Sequence, residues 1–440
     1  MPGRRDPRAP NRSFGMSDTI FALSSGAPPA AVALLRVSGP GAGAALAGLS
    51  GRALPEPRRA VLRTLRGSDG ELLDQALVLF FPGPATATGE ELVELHCHGG
   101  RAVVAAVGQA LTVLGCRAAE PGEFTRRAFQ NGRIDLAQAE GLADLLAAET
   151  QLQRRAALDL VGGRFSTQVE QWRTSLLRLS AVVEAALDFA DDDGAGDLPP
   201  DFRQAAADLA TELEGWLARP RTDRLKDGIR VVLAGPPNSG KSTLFNALLE
   251  EDAAITSPQA GTTRDALERH VAWEGVPFTM VDTAGLRDDG AGEIEAVGIA
   301  RARGQMDRAD LILWLGPEDK GPPGSWEIDS RIDAQDHQPK EDAGHRVSGI
   351  TGEGLAKLKS AMAQHGRTLL PQPGQLAINT RQARLIGEAQ NAVSQAARST
   401  DELVIGEHLR QARRAFDQLL GRTATEDMLD TLFSRFCIGK

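Results

Sequence analysis

The chain has 440 residues, 42% hydrophobic and 25% charged, and its 49 basic and 59 acidic side chains leave a net charge of −10. That length predicts two to four domains, with a core large enough to need neither disulfides nor a structural metal. The acidic balance excludes a basic protein that coats nucleic acid, and the absence of Tyr argues against an aromatic platform for single strands.

Residues 1–15 hold Arg4, Arg5, Arg8 and Arg12 with no apolar h-region. They are not a secretory signal and are expected to be a disordered extension ahead of Met16. Beyond it, AVALLRV (31–37), ALVLFF (76–81) and ELVELHC (91–97) are predicted strands, each followed by a Gly- or Pro-bearing turn. Residues 101–114 have helical spacing. On the third strand, period 2 sets Glu94, His96 and His98 on one face and Cys97 on the other. That separation argues against a zinc site built from His96, Cys97 and His98, and the strand reads as a polar face at an interface or pocket. After the turn at 120–123, Arg126, Arg127 and Arg133 cluster, and a solvated loop and an RNA contact are equally open readings of that cluster.

Residues 134–225 carry apolar residues at helical spacing, with Gly and Pro scarce outside the acidic stretch 191–200, which predicts a helical bundle. From Ile229 the pattern turns to βαβ, with strands IRVVLAG (229–235), VPFTMVD (276–282) and DLILWL (310–315). Helical spacing returns from about Gln382 to the end. A strand-bearing segment between helical ones predicts an inserted domain, with the flanking helices packed on each other. No apolar run approaches the ~20 residues of a membrane span. Three cysteines, Cys97, Cys116 and Cys437, cannot build a disulfide framework, so a cytoplasmic setting is expected.

The strongest motif is Gly235-Pro-Pro-Asn-Ser-Gly-Lys-Ser242, between a predicted strand and a predicted helix. It fits GxxxxGK[ST], whose backbone N–H groups cradle phosphates. The nucleotide-binding candidates in it are Asn238, Ser239, Gly240, Lys241, Ser242 and Thr243, with Lys241 neutralising phosphate charge and Ser242 ligating Mg²⁺. The loop Gly261-Thr262-Thr263-Arg264-Asp265 offers a Thr to complete the Mg²⁺ shell. Asp282-Thr283-Ala284-Gly285 ends a strand, so that Asp282 can reach Mg²⁺ through water and the Gly285 N–H the γ-phosphate. This arrangement marks GTPases. Ser348-Gly349 matches the late loop that abuts guanine.

No Asn-Lys-x-Asp occurs. The substituted form is Ser330-Arg331-Ile332-Asp333, with Asp333 as the guanine reader and Arg331 covering the base. Ser330 stands where an Asn usually ties neighbouring loops together, and it is expected not to reproduce that tie. Leu286 follows DTAG, where Ras-like proteins carry a water-orienting Gln. Another group must orient the water and another cation must offset charge, which brings forward Glu295 and a monovalent cation held by Asn238.

From about Asp18 to Lys440 the chain resembles the MnmE (TrmE) family of tRNA-modification GTPases. The likeness lies in TGEELVELHCHGG, EPGEFTRRAFQNGRIDLAQAE, the phosphate loop, AGTTRD, DTAGLR and the terminal Phe436-Cys437-Ile438-Gly439-Lys440. It implies a multidomain α/β plus α fold in three parts. Behind the disordered extension (1–15) come an N-terminal α+β folate-binding and dimerisation domain (16–133), a discontinuous helical bundle (134–225 and 373–440), and an inserted Ras-like P-loop GTPase domain (226–372).

The resemblance further implies a homodimer that works on tRNA with an FAD-dependent, MnmG-type partner. Together they add an aminomethyl or carboxymethylaminomethyl group to C5 of the wobble uridine, using a 5-formyl- or 5,10-methylenetetrahydrofolate derivative, GTP, Mg²⁺ and K⁺. By motif, Arg36, Glu94, Arg133 and Lys440 match folate contacts. Asn238, Ser257, Gln259 and Thr262 match the K⁺ loop, Ser242 and Thr263 the Mg²⁺ ligands, and Glu295 the residue that orients water. Ser257, Thr262, Thr263 and Ala284 also fall on nucleotide contacts. Cys437 taken alone reads as a small hydrophobe, and its place in the terminal motif makes it a catalytic candidate. The competing classes are an Era-type ribosome-assembly switch, which would carry an RNA-binding clamp after its GTPase domain, and a GTP-regulated scaffold.

Overall fold

The computed structural model describes all residues except 1–17, 189–197, 251–267, 284–302, 336, 373, 424, 435 and 440, with Glu250 described by its backbone alone. The expected extension 1–15 lies outside the described residues. The chain divides into two compact units, Met1–Ala143 with Leu420–Lys440, and Asp144–Leu419.

In the first unit β1 (Ile20–Leu23), β2 (Ala30–Ser38), β3 (Val61–Arg66), β4 (Leu72–Phe81), β5 (Leu92–Gly99) and β6 (Arg117–Ala118) form one sheet in the order β3-β4-β5-β2-β1-β6. The pairings are antiparallel except β1 with β6. Alternation decides the faces. Leu35, Val37, Ala76, Val78, Leu95 and Cys97 point to a core that includes Ala45, Leu46 and Leu49 of the helix Ala42–Ser50, and Val107 and Leu111 of the helix Arg101–Val113. Arg36, Glu94 and His96 lie on the other face with Val32, Leu62 and Leu77, which are 51%, 64% and 41% exposed. The short strands β1, β3 and β6 were not expected from the sequence, because four residues or fewer, or a run broken by arginines, show too little alternation to read.

Of the clustered arginines, Arg126 and Arg127 are taken up by ion pairs, whereas Arg133 is exposed. Arg127 is buried and pairs with Asp18 at 2.7 Å, Glu123 at 3.0 Å and Glu90 at 3.1 Å. Arg117 joins Asp18 at 2.8 Å and Glu123 at 2.6 Å. Arg126 pairs with Glu426 and, at 2.7 Å, with Asp430. Burial alone would raise the Glu123 carboxyl, but hydrogen bonds from Arg117, the Glu120 N–H and Arg127 outweigh it and hold the group below its ordinary 4.5. Its stabilising contribution is therefore complete above pH 4.5 and is lost as pH falls through the lowered folded value. Removing Arg127 takes from the part-buried Glu90 its one ion-pair partner among the described residues and leaves the buried Glu123 with Arg117 alone. Arg127→Ala is expected to destabilise the protein by about 3–5 kcal/mol, read by urea unfolding at neutral pH, and the penalty should shrink in acid.

The second unit contains a helical bundle and a nucleotide-type sheet. The helices Arg164–Asp188 and Phe202–Leu217 pack on Glu402–Leu419 and Thr380–Arg398 respectively. Segments from both sides of the sheet-bearing region thus meet, as an insertion requires. Their core holds Phe165, Trp172, Trp216 and Phe416, with Trp172 edge-on to Trp216 at 5.2 Å. The Trp172 indole N–H donates to Glu212 at 2.8 Å, which satisfies the polar edge of a buried ring.

The inserted sheet comprises β7 (Ile229–Ala234), β8 (Glu268–Trp273), β9 (Val276–Asp282), β10 (Leu311–Trp314), β11 (Trp326–Ser330) and β12 (His345–Val347). Its order is β12-β11-β10-β7-β9-β8, parallel except for β8. Every residue of β9 is buried, which is why it reads as a mostly apolar run with no polar alternation. Among the described residues, no helix is long and apolar enough to cross a membrane.

Candidate functional site

In a parallel sheet of this kind, ligands bind beyond the carboxyl ends of the strands. There β7 runs into Gly235, at φ +153°, and the chain turns through Asn238 (φ +61°) and Gly240 (φ +89°) into the helix Lys241–Glu250. Lys241 is buried, and its Nζ donates to the carbonyls of Gly235 at 3.1 Å and Pro236 at 2.7 Å. The ammonium therefore lies over the loop. The Ser242 hydroxyl donates to Asp282 Oδ2 at 2.8 Å, so an alcohol and a carboxylate suited to a hard cation already meet. Thr283 Oγ1 donates to the Leu233 carbonyl at 2.7 Å and pins the end of β9 to β7.

The loop after β11 closes on the phosphate loop. Ser330 Oγ donates to the Ser239 carbonyl at 2.9 Å, and Arg331 Nη1 to the Asn238 carbonyl at 3.4 Å. Gly240 holds φ +89°, which other residues rarely adopt, and a Cβ there would stand 3.1 Å from Arg331 Cγ, so the arginine stem would have to give. The expectation that serine would leave the loops untied is corrected: the shorter side chain still reaches a main-chain carbonyl. Ser348 Oγ donates to Asp333 Oδ1 at 2.5 Å and accepts the N–H groups of Ile350 and Thr351 at 3.1 and 3.0 Å. Gly349 lies on the Thr243 main chain, where a Cβ would stand 3.0 Å from the carbonyl. Asn238 to Thr243, Asp282, Thr283, Asp333, Ser348 and Gly349 are thus brought to one end of one sheet. Ser257, Gln259, Thr262, Thr263, Ala284, Gly285, Leu286 and Glu295 lie outside the described residues.

A second set converges on the first unit. Arg36 and Glu94 are opposed in the β2–β5 register and pair at 2.8 Å. Arg133 Nε donates to the Thr86 carbonyl at 3.1 Å. Thr88 of the same loop bonds Ser38, two residues beyond Arg36. Ala22 of β1 is opposed to Arg36, and just past β1 the Ser24 hydroxyl donates to the Gly439 carbonyl at 2.8 Å. Ser24 had no motif to mark it in the sequence. Lys440 lies outside the described residues. The Cys437 side chain is exposed, whereas Cys97 and Cys116 are buried. Burial, with Asp74 beside it, pushes the Cys97 thiol up to about 12.

Two family models cover most of the chain. The GTP-binding protein TrmE N-terminus matches residues 19–133, and the MnmE helical domain matches residues 136–437. The tRNA modification GTPase MnmE of Novosphingobium aromaticivorans is 60% identical over 438 residues, which cover 97% of this chain and 100% of that protein. The tRNA modification GTPase MnmE of Erythrobacter litoralis is 57% identical over 424 residues, covering 96% and 100%. The chain belongs to the MnmE family of tRNA modification GTPases. A MnmE-family chain is a GTP-hydrolysing enzyme, and the cradle at the end of β7 is the part of this one built for a nucleotide. A solved FeoB G-domain from Methanococcus jannaschii aligns with 32% of this chain and 98% of its own, at 22% identity and a TM-score of 0.24.

Proposed function

We propose that this MnmE-family GTPase, working on tRNA with an FAD-dependent partner, installs an aminomethyl or carboxymethylaminomethyl group on C5 of the wobble uridine in the cytoplasm. In this reading Asn238 to Thr243 hold the phosphates, Asp333 reads guanine, and Ser348 and Gly349 back the base. Ser242 and Thr263 would hold Mg²⁺, with Asp282 behind it through water. Asn238, Ser257, Gln259 and Thr262 would hold K⁺, and Glu295 would orient the attacking water. The two metal ions, when bound, supply positive charge against the phosphates. The 2.8 Å contact between Ser242 and Asp282 suits the first of them.

The one-carbon chemistry belongs to the first unit. Glu94 offers a carboxylate to the N–H and amine edge of a pterin, and Arg36, Arg133 and Lys440 offer cations to anionic groups, so the donor set fits a tetrahydrofolate derivative. That compound supplies the one-carbon unit, and Cys437 is the candidate catalytic residue. The observation that carries this reading is the convergence of the Arg36–Glu94 pair and the Gly439 end of the chain on β1 and β2. The sheet face bearing Val32, Leu62 and Leu77, open in one chain, supports a homodimer. The reading keeps the divisions at 16–133, 134–225, 226–372 and 373–440. Nucleoside analysis of tRNA from a deletion strain tests it, since the modified uridine must disappear and must return with the wild-type chain but not with Glu94→Gln.

Guanine reading has its own test. Asp333→Asn sets an amide N–H against the guanine N1–H, while xanthine offers an oxygen in place of the guanine amine. A lost hydrogen bond to a charged group is worth roughly 1.5–3 kcal/mol, or about 10- to 150-fold. GTP affinity is expected to fall by that factor and XTP affinity to rise relative to it in nucleotide titrations. Unchanged GTP affinity with no XTP gain would make 330–333 an ordinary loop.

A further inference from the structure

The last described residues, Phe436 to Gly439, are docked, and the docking uses residues outside the terminal motif. Phe433 and Phe436 are buried in a cluster with Leu136 and Leu429, against which Phe129 packs. Nearer the end, the Gly122 N–H donates to the Cys437 carbonyl at 3.4 Å, and Pro121 forms an antiparallel bridge with Ile438. The Ser24 hydroxyl holds the Gly439 carbonyl at 2.8 Å.

Two of these positions admit only glycine. Gly122 has φ +68°, and a Cβ there would overlap the Phe433 carbonyl oxygen. Gly439 has φ +95°, and a Cβ there would overlap the Leu23 carbonyl oxygen and stand 2.9 Å from its carbon. Between these anchors the side chains of Cys437 and Ile438 stay exposed. The main chain is thus fixed on both sides of a thiol that is itself left open. The anchoring strand β1 runs beside β2, where Arg36 pairs with Glu94.

We propose that Ser24, Gly122 and Gly439 are positioning residues that hold the chain end so that Cys437 is presented beside the Arg36–Glu94 pair. The proposal rests on the reading of Cys437 as a catalytic residue. A reacting group held in place spares the entropy of finding its partner, and a misplacement of about 1 Å can cost on the order of 10²-fold in rate.

The experiment uses the full-length protein carrying Gly439→Ala, Ser24→Ala or Ser24→Thr. Three quantities are read: tRNA modification, GTP hydrolysis, and hydrogen exchange of the peptide spanning 433–440. Gly439→Ala and Ser24→Ala are expected to speed exchange of that peptide and to slow modification by on the order of 10²-fold. GTP hydrolysis should stay at the wild-type rate, and Ser24→Thr, which keeps the hydroxyl, should restore modification. Faster exchange with undiminished modification, or no change in exchange, overturns the positioning role. Cys437→Ser in parallel separates the two failures. Full modification by Cys437→Ser removes the reading on which the proposal stands, whereas lost modification in Cys437→Ser beside intact Gly439→Ala removes the positioning role alone.

Discussion

Exchanging K⁺ for Na⁺ at constant ionic strength is expected to slow GTP hydrolysis by on the order of 10³-fold, the lower end of what a charge-offsetting group contributes to phosphoryl transfer. Leu286 follows DTAG where a Ras-like chain carries the Gln that orients water, and no arginine finger is legible in the sequence, so another group must orient the water and another cation must offset the charge that develops on the phosphates. In the proposed reading Asn238 recruits a monovalent cation for that purpose. It stands inside the phosphate loop in the left-handed region, at φ +61°, and its main-chain carbonyl is engaged by Arg331. A cradle of amide and carbonyl oxygens exchanges for the hydration shell of K⁺, while the smaller Na⁺ holds its water more tightly. Keeping ionic strength constant removes general screening from the comparison. Asn238→Ala should bring the rate in K⁺ down to that in Na⁺. Equal wild-type rates in the two salts would withdraw the potassium assignment.

Cys437→Ser is expected to abolish the C5-modified uridine in vivo while leaving GTP hydrolysis intact. A thiol reaches its anionic, nucleophilic form far more readily than a serine hydroxyl, so an otherwise near-isosteric change removes the chemistry. The other two cysteines cannot substitute for it. Cys97 and Cys116 are buried, and burial raises both thiols, Cys97 to about 12 with Asp74 beside it. Cys437 belongs to the first unit and the phosphate loop to the second, which is why the two activities should separate. The measurement is nucleoside analysis alongside a GTPase assay on the purified variant, and a normal level of modified uridine would reduce Cys437 to a packing role.

The sequence by itself determined the nucleotide-type half of the fold and the phosphate loop, because both leave local signatures. β9 is a run of seven buried residues, and the turn from Gly235 to Ser242 needs its glycines at fixed spacing for φ values that other residues avoid. The insertion was equally legible, since helical periodicity stops before Ile229 and resumes near Gln382. Only the tertiary structure decided what Arg126 and Arg127 do. Beside the local Glu123, their partners are Asp18, Glu90, Glu426 and Asp430, and the Arg126–Asp430 contact spans 304 positions of sequence. The tie from Ser330 to Ser239 and the hold of Ser24 on Gly439 span 91 and 415 positions. A hydrogen bond between residues so far apart imposes no period and demands only one donor and one acceptor. The residue types at its two ends are therefore too common to be read until the chain has folded and brought them together.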